Sequence, residues 1–190
     1  ALASEEVEEL QKDWFEHNPE LAWVIMPFGL TAVVFLTRTL FDGTAGSGIP
    51  LEMASFILAE GDPNIIRIFS LRNMIGKVAL TLLGLLCGAS SGREGPTVQV
   101  ASIILVYMLK FGDRYLPFVR RKLDEADRGG KSTLRHFYFR EAALIGGAAG
   151  ISGAFNTPFG GVFFAIEEMG GRFNKTAGQM MIVAVAISGA

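Results

Sequence analysis

The chain has 190 residues, half of them hydrophobic, with 23 Gly, 15 Phe and a formal charge of −2. That length accommodates one ordinary domain with a real core, and so small a net charge excludes any expectation of nucleic acid or an acidic substrate as partner. Cys87 is the only cysteine, which excludes an internal disulfide and leaves the redox compartment open.

The charges are clustered. They crowd into 1–20, 61–72 and 110–141 and leave apolar blocks between them, the layout of a membrane protein. A soluble helical protein of this composition would interleave charges with a helical period. The start, "ALASEEVEELQKDWFEH", is acidic and lacks the basic opening and apolar core of a signal peptide. It begins without Met, and the chain stops inside the apolar "MIVAVAISGA". The expectation is a fragment.

Residues 1–20 form a polar lead-in. Within it 4–17 predict an amphipathic helix, with Val7, Leu10 and Trp14 at helical spacing, suited to surface packing. Residues 21–37, "LAWVIMPFGLTAVVFLT", are the first credible span, at the short end of the roughly 17–25 residues a bilayer needs. "GTAGSGIP" (43–50) breaks the pattern, "LEMASFILAE" (51–60) is too short to cross, and a polar turn, "EGDPN", follows. Residues 65–90 predict one long helix, apolar from Met74, and the next apolar segment, 97–111, starts straight after "GREGP". Residues 112–141 make a basic loop carrying Arg114, Arg120, Arg121, Lys122, Arg128, Lys131, Arg135 and Arg140, expected on the cytoplasmic side. Then comes "AALIGGAAGISGAFNTPFGGVFFAI" (142–166), interrupted at "NTP", and 176–190 open a last span. The expected fold is all-α and polytopic, with six or seven helices, several of them short, broken or re-entrant.

Broken helices cannot sit against lipid, because each unsatisfied backbone N–H or C=O there costs several kcal/mol. They are tolerated around a protein-enclosed polar cavity, and they point to a transporter binding site. Glycines at 84, 88 and 92, and at 146, 150 and 153, fit close helix–helix approach.

Two of the breaks share one design. "GSGIP" and "GREGP" each join glycines, a polar side chain and a proline, and each leads into an apolar helix. Proline suits a first helical turn, where its missing N–H is no loss. The free N–H groups of that turn point back at the break and favour anions. "FNTPFGG" (155–161) resembles them, with Asn156 or Thr157 as a cap. The plainer alternative is three ordinary capped helices. A half-charge about 4 Å from a monovalent anion, at an effective dielectric of ~20, contributes roughly 2 kcal/mol. Dehydrating the ion costs several kcal/mol, so further donors are expected from elsewhere.

Glu94 lies in the same positive focus. Its carboxylate is itself a monovalent anion and can occupy the site. Burial favours its neutral form, while the helix dipole and Arg93 favour the charged one. A group so balanced can take a proton and leave, which makes it a tethered competitor for the anion. The alternative is a first-turn acid that only complements the dipole. An ionisable residue in a membrane interior is nevertheless read first as functional.

"GSGIP" at 46–50, "GREGPTVQ" at 92–99 and "AFNTPFGGVFFAIEEM" at 154–169, in this order and spacing, resemble the CLC chloride channels and chloride/proton exchangers. The resemblance covers nearly the whole chain. It implies two inverted halves per subunit and a homodimer with one pore in each subunit. The chain resembles the first half (1–190), and the "GxFxP" loop and pore tyrosine of the second do not occur in it. Carried over by position, Ser47 would donate its hydroxyl to the anion. Backbone amides around Gly46, Ser47 and Gly48, and around Arg93, Glu94 and Gly95, would line the path. Glu94 would be the gate. Glu168 would be the internal proton acceptor that exchangers keep, with Glu167 beside it on the route.

The partners so implied are chloride or another small monovalent anion, protons and the bilayer of a bacterial plasma membrane, with no cofactor, no metal and no enzymatic reaction. Having both Glu94 and Glu168 favours exchange over a passive channel, and a non-transporting membrane scaffold is the distant alternative. The serine of GSGIP resembles chloride-selecting members. Lys77 also falls at a family-like position, where it would raise the local positive potential or else snorkel at a helix edge. After GSGIP the chain reads "LEM", with Glu52 the one acid where some exchangers have two. "GGKST" (129–133) is no P-loop, since Glu125 stands where the loop's first glycine belongs. "NKT" (174–176) is a sequon by spelling alone, and His17 and His136 lack metal-ligand spacing.

Overall fold

The computed structural model describes residues 2–57, 68–118, 121, 133–164, 166–167 and 175–189. Among them every regular element is helical: α1 (Leu2–His17), α2 (Pro19–Thr39), a single 3₁₀ turn (Asp42–Thr44), α3 (Ile49–Ile57), α4 (Leu71–Leu86), α5 (Glu94–Tyr115), α6 (Thr133–Phe155), α7 (Pro158–Phe164) and α8 (Lys175–Ser188). The α-helices are several short ones and a few long ones, as expected, with the apolar run at 142–166 divided between α6 and α7. Two segments, Ala22–Thr39 and Glu94–Tyr115, are long and apolar enough to cross a membrane. The α2 side chains Trp23, Phe28 and Phe35 stand exposed, as lipid-facing residues do.

Three boundaries differ from the sequence reading. The helix expected over 65–90 begins at Leu71, because the Ser70 hydroxyl accepts from the Arg72 amide at 3.2 Å and caps it. It ends at Leu86, ahead of Gly88 at φ +85°, the left-handed stop that glycine supplies. α5 begins at Glu94, so "EGP" forms its first turn, as the proline led one to expect. α6 begins at Thr133, so the end of the basic stretch is helical and the rest of that loop lies mostly outside the described residues.

The centre is the pair α5 and α6. A Cβ on Gly146 would stand 2.8 Å from the Ser102 amide nitrogen, and one on Gly150 would stand 2.8 Å from Val98 Cα. These glycines, four apart on one helix face, bring two backbones together. Ser102 Oγ donates to the Ala143 carbonyl at 2.9 Å across the same seam. Val98 and Ile103 are fully buried there. α8 and α7 cover the other side of α6, with Ser152 Oγ donating to Val185 O at 2.9 Å. α4 joins α1, α2 and the 3₁₀ turn to α5.

Candidate functional site

Each break is built locally before the two meet. In the first, Gly46 has φ +72° and Gly48 φ +97°, conformations that favour glycine. The loop is held by buried polar groups. Lys77 on α4, 4% exposed, donates from Nζ to the Thr44 carbonyl at 2.9 Å and to the Gly46 carbonyl. Gln99 on α5, 1% exposed, donates from Nε2 to the Gly43 carbonyl at 3.1 Å. Lys77 is therefore interior and does not snorkel.

In the second break Arg93 is the N-cap and Glu94 the first residue of α5. Pro96 falls in the first turn, where no N–H is missed. Thr97 Oγ1 donates to the Arg93 carbonyl at 2.7 Å.

The two breaks touch. A Cβ on Gly95 would overlap the Ser47 carbonyl oxygen and stand 2.8 Å from Ser47 Cβ, and one on Gly48 would stand 3.2 Å from the Gly95 carbonyl. The starts of α3 and α5 thus meet backbone to backbone. Beside them lies a cavity of about 540 Å³, whose wall includes Thr44, Gly46, Ser47, Lys77 and Gly92. Arg38 also lines it, and its described lining contains no acidic residue. Two cations, several hydroxyls and glycine-exposed backbone are a lining suited to an anion.

The remaining expected site residues fall as follows. Glu94 is partly buried, and its carboxylate folds back against Gly92, next to the cavity wall but outside the lining. Arg93 brings its backbone to the turn, while its guanidinium leaves the site to pair with Glu8 and, at 3.4 Å, with Glu5 on α1. The third break is separate. Asn156 has φ 51°, Thr157 Oγ1 lies against Gly160, and neither lines the cavity. Glu167 is exposed. Glu168 lies outside the described residues, as do His136's side chain and most of the "GGKST" segment. Among the described residues no group of His, Cys, Asp and Glu could hold a metal.

Sequence reasoning missed Gln99. Its Oε1 is buried without a hydrogen-bond partner among the described residues and faces Gly48. The signal was available. Gln99 is four residues after Gly95 and so shares its helix face, the face that meets the first break.

A sequence model of the voltage gated chloride channel matches residues 29–190. The rat chloride channel protein 1 is 30% identical over 148 residues, covering 77% of this chain. The bovine H(+)/Cl(−) exchange transporter 7 is 29% identical over 154 residues, again 77% of the chain. The chloride channel protein CLC-b of Arabidopsis thaliana is 30% identical over 149 residues, 74% of the chain. The matched regions make up only 13%, 16% and 17% of those three relatives.

Proposed function

This chain belongs to the voltage gated chloride channel family, and we propose that it forms the first half of a membrane unit that moves chloride through a site between the starts of α3 and α5. The family is one of integral membrane proteins, and the relatives named above are channels and exchangers rather than enzymes. The contact of Ser47 with Gly95 carries the proposal. It puts two helix starts, and the charge of Lys77, at one cavity. A chloride there accepts from the Ser47 hydroxyl and from amides of both first turns, while the low dielectric strengthens each term. Glu94, one residue before Gly95, is the competing anion. Deprotonated it occupies the site, and protonated it leaves.

The finer reading is proton-coupled exchange, with protons reaching Glu94 from the cytoplasmic side by way of Glu168 and Glu167. The working assembly is a homodimer with one pore per subunit, in the plasma membrane of a bacterium. The second reading is a passive channel, favoured by the likeness to chloride channel protein 1. Full-length protein in liposomes, with a pH gradient and no chloride gradient, separates them. Exchange predicts chloride movement driven by protons; its absence, with chloride conductance retained, leaves the channel. A protein that moves no chloride under either a proton or a chloride gradient would instead support the scaffold.

A further inference from the structure

α4 and α5 pack antiparallel, as contacts at their two ends show. At one end the Leu71 amide donates to the Tyr107 hydroxyl at 3.3 Å. At the other, Thr81 and Leu82 of α4 share a crevice with Pro96 and Thr97 of α5. Ile75, Val78 and Leu82 fall on one face of α4, and Val100 and Ile104 on one face of α5. Ile75, Val78 and Ile104 are exposed, so an apolar groove runs between the two helices. Its head is the crevice, about 370 Å³ in volume, where Val78, Leu82 and Val100 give way to Glu5 and Arg93. The Arg93 guanidinium also pairs with Glu8, and the end of α6 brings only Gly153 and Ala154. The mouth thus holds one cation and two carboxylates, while the described walls below it carry no charge.

We propose that the crevice and groove bind one zwitterionic phospholipid with a primary-ammonium head, a phosphatidylethanolamine. The inference is independent of the chloride site and needs only that α5 cross the bilayer. The order of chemistry along α5 is that of such a lipid: charge at Arg93, where the span starts, and apolar surface inward of it. From Arg93 to Ile104 is about 16 Å of helix, close to one leaflet of a hydrocarbon core about 30 Å thick. Charge selects the head. Two carboxylates against one cation disfavour an anionic lipid. Glu5, 60% exposed and 3.4 Å from the guanidinium, can accept from an ammonium. A guanidinium has five N–H donors, so Arg93 keeps donors for a phosphate while it pairs with Glu8. A choline head has no N–H to give Glu5. Thr81 and Pro96 also line the 540 Å³ cavity, so the lipid packs behind its wall.

The test is native mass spectrometry of the full-length protein released from bilayers with equal amounts of phosphatidylethanolamine, phosphatidylcholine and phosphatidylglycerol. Wild type should keep one phosphatidylethanolamine per chain after the other lipids are stripped away. Val78→Trp, which fills the groove from an exposed position, should lose it. Val24→Trp, equally exposed on α2 but in neither the groove nor the cavity lining, should keep it. Glu5→Gln should cut the preference for phosphatidylethanolamine over phosphatidylcholine about threefold, as the loss of one partly exposed charge pair does. A wild type that keeps no phosphatidylethanolamine would overturn the proposal and leave the groove to be covered by the second half of the unit. So would a preference for phosphatidylglycerol, retention in Val78→Trp equal to wild type, or an unaltered head-group preference in Glu5→Gln.

Discussion

Lys77 and Ser47 are joined through backbone: the Lys77 ammonium donates to the carbonyls of Thr44 and Gly46, and so a side chain in the middle of α4 fixes the loop that delivers Ser47. Its charge serves twice, holding the loop and biasing the cavity toward anions. A unit charge roughly 8 Å from a monovalent anion, at an effective dielectric of ~20, contributes about 2 kcal/mol. Lys77→Met should therefore weaken chloride binding by calorimetry about thirtyfold, and should lower the melting temperature because two carbonyls lose their donor. Unaltered affinity would show that the lysine is structural alone.

The contact of Gly95 with Ser47 leaves no room for a methyl group, whereas a Cβ on Gly84, another cavity-lining glycine, would meet only Ala89 Cβ at 3.7 Å. Gly95→Ala should separate the two helix starts and weaken chloride binding about tenfold or more, the equivalent of 1–3 kcal/mol of overpacking. Gly84→Ala should bind as wild type does. Equal behaviour of the two variants would contradict a shared site.

The seam between α5 and α6 makes a similar contrast in stability. Gly146→Ala and Gly150→Ala each push a Cβ into the α5 backbone, so each should destabilise the protein by about 1–3 kcal/mol. Gly178, in α8, has nothing within 4 Å of its Cβ position. Gly178→Ala should be neutral or stabilise by up to about 1 kcal/mol through helix propensity. Melting temperatures in detergent check both.

Gln99 differs from these because one half of its amide is satisfied and the other is not. Gln99→Leu removes the donor to Gly43 but also the buried Oε1, so its stability cost should stay near 1 kcal/mol. Its larger effect should be on anion binding, since the loop before Ser47 loses a side-chain hydrogen bond that holds it. Thermal stability and chloride calorimetry on the same sample separate the two effects.

What was legible in the sequence was local. GSGIP and GREGP announce helix starts because glycine and proline act within a turn, and their broken pattern implied a cavity. The meeting of Ser47 with Gly95 was implied only by the family resemblance, since 48 positions separate them and only the packing of α3 on α5 closes the gap. The partners of Lys77 lie 33 and 31 positions away, so composition could not decide between a buried and a snorkelling lysine. Arg93 was expected to act on Glu94. Its guanidinium instead goes to Glu8 and Glu5, more than 80 positions earlier. The start of α6 was placed too late because charge in 133–141 reads as loop, although those residues continue the helix that packs on α5.

The measurement that bears most directly on a side-chain acid competing with the transported ion is chloride affinity as a function of pH, by calorimetry on full-length protein. Ionised Glu94 contests the site, so wild-type binding should weaken as pH rises from acid to neutral, while Glu94→Gln should bind at one affinity throughout. A wild type with pH-independent affinity, or a Glu94→Gln variant that keeps the wild-type pH dependence, would contradict the account.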